Sequence, residues 1–257
     1  FTRMMFIIIS YGVYYFIVSS LATYLSVRLR NNTSALSSIL AIWIIWTIFL
    51  PKIWGNAVEK IYPLPSRQSF KTSMKIDRSK GIDGHNPTDK RREDLKVKYL
   101  AQYDVDSLKN LPINFDGIVM QQDEEYGNLV WDKHFGNNYN ILQRQKTLFQ
   151  ISGILNPFVS LQSLSMGFCG SDMYHHLDFL KKSEDYRRYL LKTLNDKHAY
   201  GGSRTGDWKW TVGSNFFKSI DDFSHQIPKI TSQMEHYLID MVCLLFWGFM
   251  LPMIIKH

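Results

Sequence analysis

Cysteine is scarce in this sequence, and its two copies form no recognisable pattern. Cys169 lies in a polar region and Cys243 within an apolar run of the 257-residue chain. A disulfide framework needs a larger set of cysteines, and a zinc knuckle needs closely spaced pairs. The sequence therefore argues against a disulfide-stabilised scaffold and against a cysteine-based metal site.

Charge is missing, or nearly so, from three stretches of the chain. These are Met4–Val27, Leu36–Leu50 and Tyr237–Ile255, of which only the last contains a charged residue, Asp240. Roughly 20 apolar residues in a helix cross the ~30 Å hydrocarbon core of a bilayer. Three such helices would be hard to cover in a soluble chain of this length. The pattern predicts an all-α membrane protein with three transmembrane helices.

The spacing of these runs predicts three parts. Residues 1–54 hold two transmembrane helices and a short cytoplasmic loop, residues 55–234 form a mainly helical extracytoplasmic domain, and residues 235–257 form the final transmembrane helix. The second helix is expected to extend into the uncharged segment Asn31–Ser38. It is expected to end at Pro51, because proline lacks a backbone N–H.

The orientation follows from the loop between the first two helices. Arg28 and Arg30 lie there, and short basic loops stay on the cytoplasmic side. Three crossings then place Arg3 and residues 55–234 outside, and return Lys256 and His257 to the cytoplasm.

The basic excess of the chain is weak and dispersed. Residues 55–234 contain 25 of the 30 lysines and arginines but also 21 of the 23 acidic residues. A nucleic-acid surface concentrates positive charge on one face or helix. Nucleic acid is therefore not an expected partner.

The polar region is predicted to be mainly helical after a connector. We expect a loop or surface-lying connector over Lys52–Pro87 and an irregular stretch over Ala199–Gln233. Helix-forming patterns and capping residues predict the helices between them. They are one capped by Thr88-Asp89 and running to Tyr103, Ile118–Phe135, Tyr139–Leu155, Phe158–Phe168, and one capped by Ser171-Asp172 and reaching Asp196.

Catalytic motifs do not emerge from the sequence. Gly201 and Gly206 lack the lysine and the serine or threonine that complete a phosphate-binding loop. The segment Gly167–Gly170 does not match the nucleophile elbow of hydrolases. We therefore expect that the chain is not itself a nucleotide motor or an enzyme.

Two titratable features leave alternatives open. His175 and His176 lie beside acidic residues, but adjacent helical residues point about 100° apart, so solvated or packing histidines compete with a metal site. Asp240 lies inside an apolar run, where a carboxylate pairs with a partner, reaches the interface or serves transport.

An aromatic and basic segment precedes the third apolar run. It contains Trp208 and Trp210 next to Lys209. Such segments commonly lie along a bilayer surface. A plain junction with the membrane helix and contact with a substrate are the alternatives, and we favour the junction.

Several motifs together resemble a known family. The runs LPINFDGIVMQQDEEYGN, NPFVSLQSLSMGFCGSDMYHHLDFLKKSEDYRRYLLKTLN and DDFSHQIPKI cover most of residues 100–235. They resemble the extracytoplasmic insertion of a branch of bacterial ABC-2 type transporter permeases, described only as a domain of unknown function. The motif residues are Asn156, Pro157, Gln162, Ser165, Gly170, Asp172, His175, His176 and Phe179.

The resemblance implies a permease subunit in the bacterial inner membrane. Its expected partners are a separate ABC-type ATPase, which would bind the ATP, a second permease copy or paralogue, and the lipid bilayer. The chain itself would carry no cofactor. Because it begins with Phe1 and lacks the first three helices of that fold, we expect it to be the carboxy-terminal half.

A second class of function stays open from the sequence. The chain could be a membrane-anchored envelope receptor or assembly factor whose helical ectodomain binds a partner. Small residues on the first helix, such as Ser10, Gly12 and Ser19, favour close helix packing over a bare anchor.

Overall fold

The computed structural model describes residues 1–255 and contains no strand within them. Lys256 and His257, which we predicted to be cytoplasmic, lie outside the described residues. The described part of the chain forms ten α-helices, numbered α1 to α10 in chain order. They are Thr2–Arg28, Asn32–Ile44, Leu50–Ile61, Arg67–Lys80, Thr88–Tyr103, Phe115–Ile151, Pro157–Cys169, Met173–Tyr200, Ser214–Lys218 and Leu238–Ile255.

Three helical segments are long and apolar enough to cross a membrane. They are Thr2–Arg28, Asn32–Ile61 and Met234–Met253. Most of their side chains are not buried by the rest of the chain, as expected of helices that face lipid. The predicted all-α class and the three candidate spans are confirmed, whereas the sidedness of the intervening residues stays a prediction.

The predicted end of the second span at Pro51 is wrong. A π-helical turn, Ile45–Phe49, joins α2 to α3, and the helix continues to Ile61. Pro51 falls in the first turn of α3, where a missing N–H is tolerated. The wider turn therefore carries the helix through the proline.

The predicted connector Lys52–Pro87 is also largely helical. Beyond the end of α3 it contains α4, whose first turn is capped by Ser66: its hydroxyl accepts from the backbone N–H of Ser69 at 3.1 Å. The helix ends at Gly81, which has a φ of 98°. The prolines before Ser66 are followed directly by a good cap, so the irregular part is short.

The two helices predicted to meet at residues 136–138 are one helix, α6. Gly136 costs only about 1 kcal/mol inside a helix, and no proline follows it to force a break. α7 and α8 form close to the predicted positions, although α8 continues to Tyr200. The predicted cap of α5 is wrong in detail, because the capping position is Pro87 and the hydroxyl of Thr88 instead donates to the carbonyl of Arg78 at 3.1 Å.

The chain divides into two compact units. The membrane-helix unit comprises residues 1–64, 140–179 and those from Gln226 onward, and the polar unit comprises residues 65–139 and 180–225. The predicted domain of residues 55–234 is therefore shared between them. In the membrane-helix unit, α1, α7 and α10 pack together around an apolar core. Its buried members include Tyr14, Ile17, Leu161, Leu164, Phe168, Tyr237 and Leu244.

The polar unit has a smaller apolar core and a set of ion pairs. Leu111, Ile113, Phe115, Ile118 and Ala199 form the core. Close approach of α6 and α8 depends on a glycine at this point. A Cβ on Gly117 would lie 2.6 Å from the backbone nitrogen of Ala199.

Replacing Gly117 by alanine should destabilise the protein. The added methyl group meets backbone atoms that no rotamer change can move, so we expect a loss of about 1–3 kcal/mol in the free energy of unfolding. Gly136→Ala is the matched control on the same helix, because nothing lies within 4 Å of its Cβ position. That variant should be more stable by roughly 0.5–1 kcal/mol. Denaturant unfolding in detergent measures both, and equal changes in the two variants would contradict the close approach.

Asp77 joins α4 to α6 in the polar unit. One carboxylate oxygen accepts from Nζ of Lys133 at 2.7 Å and from Nε2 of His134 at 2.9 Å. The hydrogen bond from Lys133 lowers the pKa of Asp77 below its ordinary value, against the opposing effect of desolvation. A carboxyl group with a depressed pKa stabilises the folded state above its unfolded pKa, and this contribution is lost as the pH falls through the folded pKa.

Asp77→Asn should therefore loosen α4 at neutral pH. We expect faster hydrogen–deuterium exchange in α4 of the variant at pH 7, measured by mass spectrometry against the wild type at the same pH. The difference should begin to shrink below about pH 4, the ordinary pKa of an aspartate, and should disappear as the pH falls through the lower folded pKa of Asp77, where the wild-type carboxylate becomes protonated. A difference that persists unchanged in acid would show that the charge of Asp77 does not hold the helix.

Candidate functional site

Asn156 fixes the start of α7 against the second span. Its Oδ1 accepts from the backbone N–H of Phe158 at 3.1 Å, and its Nδ2 donates to the carbonyl of Trp46 at 2.7 Å. That carbonyl is free because the N–H of Leu50 bonds to Ile45 and Pro51 has no N–H. The side chain of Asn156 is fully buried, so both bonds satisfy groups that water cannot reach.

Asp240 is the buried carboxylate of the third span. It is fully buried, and its Oδ2 accepts from Nε2 of Gln150 at 2.5 Å and from the hydroxyl of Ser163 at 2.6 Å. Gln150 also donates to the carbonyl of His236 at 2.8 Å. The other carboxylate oxygen, Oδ1, has no partner. The aspartate thus connects α6, α7 and α10.

Lys146, on α6, is the positively charged side chain next to this carboxylate. It lies one turn before Gln150, on the same helical face, and its Nζ donates to the hydroxyl of Ser163 at 2.5 Å. Burial lowers the pKa of Lys146, whereas the charges of Asp240 and Asp172 act in the opposite direction. Ser163 therefore bridges the ammonium group and the carboxylate.

A second buried carboxylate begins α8. Oδ1 of Asp172 accepts from both the backbone N–H and the Nδ1 of His175, at 3.1 and 2.6 Å. Its Oδ2 accepts from the hydroxyl of Tyr237 at 2.9 Å. Because Tyr237 precedes Asp240 by about one turn, the two carboxylates belong to one group. We call this group the polar cluster: Lys146, Gln150, Ser163, Asp172, His175, Tyr237 and Asp240.

A glycine and an arginine hold the surroundings of the polar cluster. A Cβ on Gly167 would overlap the ring of Tyr237, so only glycine fits there. Arg3 of α1 donates to the carbonyl of Phe168 at 3.0 Å and to that of Pro228 at 2.5 Å. This cation satisfies the carbonyl of Phe168, which the end of α7 leaves without a helical partner, and also that of Pro228.

The structure brings together only part of the residues singled out from the sequence. Asp172, His175 and Asp240 meet in the polar cluster, and Asn156 and Pro157 begin the helix beside it. Other motif residues have no place in it: Gln162, His176 and Phe179 are exposed, Gly170 ends α7 with a φ of 77°, and Ser165 lies 3.4 Å from the hydroxyl of Tyr11.

The arginines and tryptophans predicted to lie at the membrane interface are not part of the polar cluster. Arg28 and Arg30 are exposed at the end of α1 and in the following loop. Trp208 is 78% exposed in the polar unit, and Trp210 contacts the ring of His198 edge-on. Within residues 1–255, no group of three or more histidine, cysteine, aspartate or glutamate side chains is arranged to hold a metal ion.

Sequence reasoning did not identify four members of the polar cluster: Lys146, Gln150, Ser163 and Tyr237. The signal for the first two was their i, i+4 spacing, which places a lysine and a glutamine on one face of a helix. Their importance depends on Ser163 and Asp240, which are distant in sequence. For Arg3, the sequence predicts only its side of the membrane and not its contacts.

Comparison with protein families adds one match. A family described as "Domain of unknown function (DUF3526)" matches residues 68–226, more than half of the chain. The chain belongs to this family. The DUF3526 region includes α7, the first two runs that carried the resemblance and the first part of the third, and it ends before Tyr237 and Asp240. Comparisons with the curated proteins and with the solved structures each returned no significant match.

Asn156→Ala should destabilise the packing of α7. The variant loses a helix cap and leaves the carbonyl of Trp46 without its partner, so we expect a loss of about 2–4 kcal/mol in the free energy of unfolding. Gln162→Ala, on the exposed face of the same helix, should change it by no more than about 0.5 kcal/mol. Denaturant unfolding in detergent compares the two. A similar effect for both variants would contradict the role of Asn156.

Proposed function

We propose that this DUF3526 protein is the membrane-spanning permease subunit of an ABC-2 type transporter in the bacterial inner membrane. It would couple ATP hydrolysis by a separate ATPase to movement of a substrate. The observation that carries the proposal is the packing of α1 and α10 against the buried helix α7, with the polar cluster between elements of this unit. Helices that only anchor a domain in the membrane need neither this packing nor a buried set of hydrogen bonds such as the polar cluster.

The family supports the same proposal. DUF3526 is associated with ABC-2 permease-like proteins. In the proposed mechanism, the ATPase binds ATP between its own copies and the permease pairs with a second copy or a paralogue. Nucleotide binding shifts the balance between two arrangements of the membrane helices. This chain contributes no catalytic group, and residues 55–234 lie on the extracytoplasmic side.

The interaction with an ATPase is tested on the full-length protein in its native membranes. We expect an affinity-tagged protein, extracted in mild detergent, to copurify with an ABC-type ATPase and to show ATP hydrolysis in the complex. Substituting the phosphate-loop lysine of that ATPase should abolish the hydrolysis without dissociating the complex. Isolation of the protein without any ATPase would overturn the proposal and favour a membrane-anchored receptor or assembly factor.

The topology is tested by cysteine labelling in intact cells. In a background with Cys169→Ser, a membrane-impermeant maleimide should label Thr211→Cys, an exposed position in the polar unit. The matched variant Asn31→Cys, in the loop between the first two spans, should react only after the inner membrane is permeabilised. The reverse pattern would place the polar unit in the cytoplasm and contradict the proposed orientation.

A further inference from the structure

The polar cluster contains more potential negative than positive charge. Asp172 and Asp240 are both at least 97% buried, whereas Lys146 is the only lysine or arginine among the members of the cluster. His175 supplies a second positive charge only in its protonated form. With His175 neutral and both carboxylates ionised, one negative charge has no matching cation among the seven residues of the cluster. Arg3 lies beside the cluster, but its guanidinium donates to the carbonyls of Phe168 and Pro228 and to no carboxylate. A buried charge without a partner is strongly unfavourable. One bound proton makes the cluster neutral.

The hydrogen bonds distinguish the two carboxylates as sites for that proton. Both oxygens of Asp172 are occupied, by His175 and by Tyr237. On Asp240, the two donors both contact Oδ2, and Oδ1 has no partner. A proton on Oδ1 of Asp240 therefore breaks no existing hydrogen bond, whereas a proton on Asp172 would require either that the hydrogen bond with Nδ1 of His175 reverse its direction or that a donor leave.

We propose that Asp240 is a buried proton-binding site at the junction of α6, α7 and α10. The ligand is a single proton taken from the aqueous phase: an O–H bond forms at Oδ1, no other covalent bond breaks, and no electron is transferred. Gln150 and Ser163 hold the carboxyl group in place in both states. The proposal does not depend on a transport function.

Several titratable or charged groups surround this carboxyl group. They come from every element that packs near it: Arg3 from α1, Lys146 from α6, Asp172 just before α8, His175 from α8, His236 and Tyr237 from the turn before α10, and Cys243 from α10 itself.

Protonation would change the attraction between two elements. The ionised carboxylate attracts Lys146 through Ser163 and holds α10 towards α6, whereas the neutral carboxyl group retains only hydrogen bonds. His175 is the competing position for the proton, because its Nε2 is buried and also lacks a partner. An experiment must therefore distinguish Asp240 from His175.

Infrared difference spectroscopy of the full-length protein in lipid nanodiscs tests the site. The carbonyl stretch of a protonated carboxyl group is separate from that of a carboxylate, so titration with acid reports proton binding directly. The 22 other acidic residues contribute bands of their own, so the signal of this site is the component by which the wild type differs from Asp240→Asn. We expect that component to titrate at a different pH from the exposed carboxyl groups and to be retained in His175→Asn. The asparagine at position 175 keeps a donor towards Asp172, which makes it a matched control.

A second variant guards against misfolding of Asp240→Asn. Lys146→Met removes the positive charge that opposes proton binding and should move the midpoint of the band upward by about one pH unit or more. Circular dichroism and size-exclusion chromatography establish that each variant is folded. The proposal would be overturned if Asp240→Asn lost no component of distinct midpoint, if His175→Asn lost that component, or if its midpoint did not move in Lys146→Met.

Discussion

A carboxylate that water cannot reach governs the organisation of the membrane-helix unit. Asp240 requires donors from its protein surroundings, and it obtains them from Gln150 on α6 and Ser163 on α7. Lipid tails supply no hydrogen bonds, so a polar side chain in a membrane helix favours whichever neighbours can satisfy it. The two donors come from helices that lie between the second and third spans in sequence. The third span is thereby tied to the segment that the chain forms before it.

The contacts of Tyr237 connect the third span to the start of α8 as well. Its hydroxyl donates to Asp172, and its ring packs on Phe168 with centroids 5.8 Å apart. Gly167 leaves the space that the ring occupies. Polar and apolar contacts thus depend on the same side chain. Three motifs that look unrelated in the sequence, around Ser163, Gly167 and Asp172, serve one packed group.

The parts of the fold that follow from composition were predictable from sequence. Long runs with one charge or none located the three candidate spans, and Pro157 located the start of α7, because a proline in the first turn is a local signal. Pro51 and Gly136 misled the prediction, because a residue that disfavours a helix does not end it when the surrounding turns compensate. The polar cluster was only partly predictable: Asp240 and His175 stand out by type, whereas Lys146 acquires its role from Ser163, 17 positions later.

The π turn before Pro51 also has an evolutionary consequence. The carbonyl of Trp46 is open to Asn156 only while position 51 supplies no competing amide hydrogen. A different amino acid at 51 would restore a donor on the same helix and withdraw the acceptor from the loop residue 105 positions away. Positions 51 and 156 should therefore show epistasis, with a change at one tolerated best when the other has already changed.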